Sequence, residues 1–227
     1  MYSQTKNIQV LLSIFYIIIL PIFFISTNVI FITNSDWLYS YGWNRNQIEK
    51  STGLNIEQLN SGAKQIKSYF NNNEEYLDLI IVEDEIRYSL YNQKEILHMK
   101  DVKHLIKLTK FSSYYSAVII FLYFLLTIIT IKSLKKSAKH LLEISKISAY
   151  STIALLTIFG LLASINFTWL FRQFHFISFS NDLWQLNPNT DYLIAMFPQR
   201  FFLETTIFIG IFTVIEFTIY LIILRKI

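Results

Sequence analysis

The chain has 227 residues, of which 53% are hydrophobic, 17% aromatic and only 16% charged, with a formal net charge of +4 and a mean hydropathy of +0.38. That is too apolar for a soluble domain of this size, and the apolar residues fall in long blocks, so the composition describes an integral membrane protein. There is no cysteine, which excludes disulfides, thiolate metal sites and a cysteine nucleophile.

Residues 8–33 are nearly continuous Ile, Leu and Phe, long enough to span a bilayer core. The run lacks a small-residue cleavage site and reads as a retained helix, which Pro21 is expected to kink. A polar segment, 34–113, follows. In it Asn55 can cap a helix whose Ile56, Leu59, Ala63, Ile66 and Phe70 share one face, ended by Asn71-Asn72-Asn73. Leu77 to Val82 and Arg87 to Leu90 read as short strands around the acidic turn Glu83-Asp84-Glu85. A second helix is expected from Gln93 to Leu108, with Ile96, Val102, Leu105 and Ile106 as its apolar positions. Standing upright on the next span, it would carry His98 about 24 Å above the membrane, at 1.5 Å per residue. Lying flat and turning down near Ser112-Ser113, it would bring His98 to headgroup level, and the amphipathic pattern favours this arrangement. Three more spans follow, at 114–131, 147–169 and 201–224. The expected fold is therefore mainly α. It is a polytopic membrane protein with four transmembrane helices and a small, mostly helical or α+β extracytoplasmic domain. Its parts are residues 1–33, 34–113 and 114–227, the last including loops 132–146 and 172–200.

Orientation follows from the lysines. Lys132, Lys135, Lys136, Lys139 and Lys146 stand against Glu143 alone between the second and third spans. Lys6 precedes the first span, and Arg225 and Lys226 end the chain. The positive-inside rule puts these segments and both termini in the cytoplasm, with 34–113 and 172–200 outside.

Candidate chemistry gathers in the two outer segments. On a helix His98 and Asp101 lie three apart and share a face, so the carboxylate can hold or charge the imidazole. An isolated H-x-x-D is more often a solvated helix face, and needs a partner to become a general base. The second outer segment supplies His175, just beyond the third span, together with Arg172, Asn181, Asp182, Trp184 and Arg200. Of the other histidines, His104 points to a different face of the helix from His98, and His140 is cytoplasmic. No metal-ligand spacing or nucleic-acid motif is present, and no cofactor is expected. Two other readings remain open. One is a non-catalytic membrane subunit or sensor. The other is a small transporter using Glu216 and Asn166, which calls for internal repeats or broken helices with polar groups at mid-depth.

Glu95-x-x-His98-Met99-x-Asp101-Val102 ahead of a span, with a later Asn-Asp, Trp184, Asp191-x-Leu193-Ile194 and Phe197-Pro198-x-x-Phe201, resembles the bacterial lipoprotein intramolecular transacylase family. Tyr41 and Thr52-Gly53 fit the same pattern. The resemblance implies a bacterial cell-membrane enzyme acting on lipoproteins whose N-terminal cysteine carries a diacylglyceryl thioether. Such enzymes move the sn-2 acyl chain to the cysteine's α-amine and give the lyso form. It maps the family's two catalytic histidines onto His98 and His175. Asp101 would then orient His98. Asn181 and Asp182 would bind the ammonium or the second imidazole, and Arg172 and Arg200 would face a developing oxyanion. Snorkelling to lipid phosphates competes for the two arginines, and Glu216 reads as structural. Partners beyond the lipoprotein substrate and membrane lipids are not implied, and oligomeric state is left open.

Overall fold

The computed structural model describes residues 2–227, with side chains from residue 9 onward. In chain order the elements are α1 (Tyr2–Thr33), α2 (Asp36–Arg45), α3 (Ile48–Thr52), α4 (Ile56–Asn71), β1 (Ile80–Glu83), β2 (Ile86–Ser89), α5 (Gln93–Ile131), α6 (Leu134–Ser178), α7 (Tyr192–Met196) and α8 (Gln199–Lys226). Four of them, α1, α5, α6 and α8, are long and apolar enough to cross a membrane, and the chain is a multi-pass membrane protein. The contacts divide it into two compact units.

The first unit comprises the residues up to Val29, Thr109–Leu161 and Phe208–Ile227. Tyr16, Leu20 and Phe24, at every fourth position of α1, pack on Leu141, Ile144 and Ala149 of α6 and on Phe217 and Leu224 of α8. Lipid tails are as apolar as these side chains, so association depends on close packing and on hydrogen bonds between helices. Ser145, Ser148 and Ala149 keep α6 slender on its buried side, and Ser148 Oγ donates to Ile17 O at 2.8 Å. Tyr16 Oη meets Tyr220 Oη at 2.6 Å, and Tyr123 Oη meets both Ser13 Oγ (2.9 Å) and His140 Nε2 (3.1 Å). Asn28 Nδ2 donates to Glu216 Oε2 (2.7 Å) and Thr213 Oγ1 (3.1 Å), a structural use for the carboxylate inside α8. The outward faces, with Ile14, Phe15, Leu155 and Ile219, stay exposed as a lipid-facing surface does.

The second unit comprises Ile30–Leu108 and Leu162–Ile207. Asn55 and Gln58 form the capping box that starts α4, whose Leu59, Ala63, Ile66 and Phe70 are buried. Gln65 receives Ile80 N–H (2.9 Å) and donates to Ile80 O (2.8 Å), while Gln58 donates to Val82 O (2.9 Å), so two glutamines of α4 hold the edge of β1. The hairpin is shorter than the expected strands. Glu83 pairs with Ile86, and only Asp84 and Glu85, both at positive φ, make the turn. Gly53, at φ 74°, ends α3 in a conformation that suits glycine. At Gly42 a Cβ would come within 2.4 Å of the Phe201 ring, which is locked among Tyr39, Trp43 and Phe197. Gly42→Ala is expected to lower stability by about 1–3 kcal/mol through this overpacking. A thermal melt of the purified variant checks it, and an unchanged midpoint would contradict the packing described.

One expectation about the long helices is corrected. No turn occurs at Ser112-Ser113: α5 runs unbroken for 39 residues, and Ser113 Oγ instead meets Thr27 Oγ1 of α1 at 2.9 Å. The turn expected to lay the polar stretch flat is therefore absent, and residues Gln93–Ile131 are one helical element. α1 is one helical element with Pro21 inside it. The break in regular helix falls in α6 at Asn166 (φ −156°, ψ 81°), whose Oδ1 accepts Trp169 N–H at 2.9 Å and so caps the segment that continues to Ser178.

Candidate active site

The polar start of α5 is fastened to the segment before α7. Asn92 and Glu95 cap the helix reciprocally: Asn92 N–H donates to Glu95 Oε2 (2.8 Å), and Glu95 N–H donates to Asn92 Oδ1 (3.1 Å). The second oxygen of Glu95 accepts Leu193 N–H at 2.6 Å. Asn92 Nδ2 donates to Asp191 Oδ1 (3.0 Å), and Asp191 Oδ2 accepts Asn187 N–H (2.8 Å). Asn181 Nδ2 donates to Asp101 Oδ2 (2.9 Å), and Lys94 Nζ donates to Gln185 O (2.5 Å). Glu95 is 1% exposed, and burial raises its pKa against the pull of the two amides that it accepts.

These ties bring His98, one turn after Glu95, to the end of α6. The ring centroids of His98 and His175 are 6.2 Å apart, and the residues are 6% and 7% exposed. Both lie outside the apolar runs 114–131 and 147–169. The walls are aromatic. Phe171, Trp184, Phe174 and Phe179 lie 4.4, 4.9, 5.3 and 5.6 Å from the His175 ring, and Phe179 stands edge-on to His98 at 5.1 Å.

Hydrogen bonding distinguishes the two imidazoles. His175 Nδ1 lies 2.6 Å from Phe171 O. A carbonyl only accepts, so Nδ1 carries the proton and Nε2 is the basic nitrogen of the neutral ring. His98 Nδ1 is buried without a hydrogen-bond partner, as is Trp184 Nε1. Burial, with the neighbouring His175 adding to it, lowers the pKa of His98 to about 4. Burial also lowers that of His175, opposed by the Phe171 carbonyl. At neutral pH the pair is therefore uncharged and able to accept protons.

The other residues singled out from the sequence fall in different places. Asp101 does not hold His98: its carboxylate accepts from Asn181, and no hydrogen bond joins it to the imidazole. Asn181 Oδ1 also accepts Leu183 N–H (3.0 Å), and Asp182 Oδ1 accepts from Gln185 Nε2 (2.6 Å), so both shape the loop. Arg200 and Arg45 both pair with Glu204, at 3.0 and 3.3 Å. Arg172 lies over the Phe176 ring at 6.0 Å. Both arginines are exposed, and their partners are Phe176 for Arg172 and Glu204 for Arg200. Among the described residues no three His, Asp or Glu side chains cluster as metal ligands do. Sequence reasoning missed the buried anchoring by Glu95. The reciprocal Asn92–Glu95 spacing was the available signal.

Four helices able to cross a membrane, and two buried imidazoles walled by aromatic rings, describe a multi-pass membrane protein with a candidate acid–base site. Among curated proteins none matches the chain. The family model described as lipoprotein intramolecular transacylase Lit matches residues 14–202, and the chain belongs to this family of acyltransferases. In fold it is similar to the membrane-integral lipoprotein intramolecular transacylase Lit from Bacillus cereus, with a TM-score of 0.78 at 18% identity, covering 97% of this chain and 96% of that one. Two variants of that protein, with a histidine replaced by alanine or by arginine, give TM-scores of 0.76 at 18% identity. They cover 99% of this chain and 96% and 94% of theirs.

Proposed function

We propose that the chain moves the sn-2 acyl group of a diacylglyceryl-cysteine lipoprotein onto the α-amine of the same cysteine, with His98 and His175 as its acid–base pair. The carrying observation is the approach of these two buried imidazoles to 6.2 Å within one aromatic pocket. The free amine attacks the ester carbonyl and closes a ring of about eight atoms, which an aromatic pocket favours by holding the lipid bent. His175 Nε2 takes the proton shed by the nitrogen as the C–N bond forms. That proton passes to His98, which delivers it to the glyceryl oxygen as the C–O bond breaks, so both rings end neutral as they began. The amide and the freed hydroxyl account for every atom of the starting lipid. Direct transfer is supported by the surroundings of the pair: His175 Nδ1 donates to Phe171 O, and among the described residues no serine or threonine hydroxyl is hydrogen-bonded to either imidazole. Purified protein is thus expected to convert a diacylglyceryl lipopeptide without added phospholipid, giving a product of unchanged mass. A requirement for a phospholipid donor would overturn the reading.

The histidine pair is placed on the extracytoplasmic face of a bacterial cell membrane, with both termini inside. The lysines of 132–146 support this arrangement. Single cysteines test it in a chain that has none. Ser61 and Lys135 are both exposed, whereas Ser137 is fully buried and would stay silent on either side. In intact cells Ser61→Cys is expected to react with an impermeant maleimide and Lys135→Cys is not. The reverse pattern would sink the orientation.

A further inference from the structure

Within the four-helix unit a groove of about 560 Å³ opens between α6 and α8. Leu142 and Lys146 line it from α6, and Thr218, Leu221, Ile222 and Arg225 line it from α8. Each set is one helical stripe, with spacings of four on α6 and of three, four and seven on α8. The volume is in the range of small-molecule sites, about 300–1,000 Å³. Lys146 is shared with Glu143 at 2.9 Å, while Arg225 has no carboxylate partner among the described residues. None of these residues belongs to the histidine site.

An apolar trough with two cations matches an amphiphile that has an anionic head. A free phosphate would leave Leu142, Leu221 and Ile222 uncovered. A zwitterionic lipid would bring no net charge to the guanidinium. We propose that this groove is a binding site for an anionic phospholipid, with one acyl chain along Leu142, Leu221 and Ile222 and the phosphate held by Lys146 and Arg225. The site lies at the end of the helices that carries the lysines of 132–146 and the terminal Arg225-Lys226, where anionic headgroups are attracted to basic side chains.

Native mass spectrometry of the full chain in detergent, titrated with phosphatidylglycerol and phosphatidylcholine of identical acyl chains, tests the proposal. Two cations, one of them shared with a glutamate, are expected to favour phosphatidylglycerol by about tenfold. The Lys146→Gln, Arg225→Gln double variant loses this preference. Lys226→Gln, outside the groove, keeps it. Leu221→Trp fills the trough without touching a charge and lowers phosphatidylglycerol retention, so it decides the matter should the double variant fail to fold. Glycerol phosphate in excess leaves the bound lipid in place. Equal retention of the two lipids by the wild type would overturn the site. So would phosphatidylglycerol retention left unchanged by Leu221→Trp, or displacement by glycerol phosphate.

Discussion

Replacing His98 or His175 by alanine is expected to cut turnover of a diacylglyceryl lipopeptide by about 10²–10⁴-fold, the range that acid–base groups contribute. The double variant should lose little more than either single one, because the rings act on one proton path and their effects are not additive. Both side chains are buried, so His98→Gln and His175→Gln accompany the alanines to separate lost chemistry from a lost filling of the pocket. His104 is exposed, and His140 contacts Tyr123 in the four-helix unit; alanine at either position should leave turnover near wild type. Wild-type turnover in a folded His98→Gln variant would remove the imidazole from the mechanism.

The second large effect is expected at Glu95, which touches no proton of the reaction. Glu95→Ala leaves Leu193 N–H and Asn92 N–H without their acceptor. A buried donor left unpaired costs about 1–3 kcal/mol. Asn92 is exposed and its N–H can turn to water, so the loss falls mainly on buried Leu193. At about 2–4 °C per kcal/mol for a chain of this size, a fall of about 2–12 °C in the melting midpoint is expected. Activity should fall with it, as the loop bearing Trp184 loosens from α5. Glu95→Gln keeps one acceptor oxygen and should lie between. An unchanged midpoint in Glu95→Ala would mean that the loop is held by other contacts.

Much of the fold was legible because the bilayer demands it. Long apolar runs can only be spans, and Asn55 with Gln58 announces the start of α4. The nearness of His98 and His175 was also legible, through the resemblance and through the expected common side of their two segments. The burial of polar groups on α5 was not. Apolar periodicity assigned the inner face to Ile96, Val102, Leu105 and Ile106, yet Glu95, His98 and Lys103 are buried there beside Met99 and Ile106. Their partners come from distant backbone and loops: Leu193 N–H for Glu95, Asn72 Oδ1 and Glu74 O for Lys103. A polar residue reads as exposed until such partners are known. The unbroken helix through Ser112-Ser113 was hidden for a related reason. Serine is tolerated within a helix when its hydroxyl finds a partner, here Thr27 of α1. Asn166 stood out in the sequence only as a polar residue within a span, not as the cap of a helix that restarts there. The capped break resembles the interrupted helix expected of a transporter, but its carboxamide is used on Trp169 N–H.

Intramolecular transfer through the histidine pair is tested most directly by mixing two diacylglyceryl lipopeptides of different peptide mass, one with isotope-labelled acyl chains, and incubating them with the purified protein. Direct transfer keeps each acyl group on its own molecule. Both products should retain their starting masses, and fragmentation should show the label on the N-terminal amide of the originally labelled peptide alone. Label appearing on the other peptide would contradict the account and point to transfer between molecules or through an acylated enzyme.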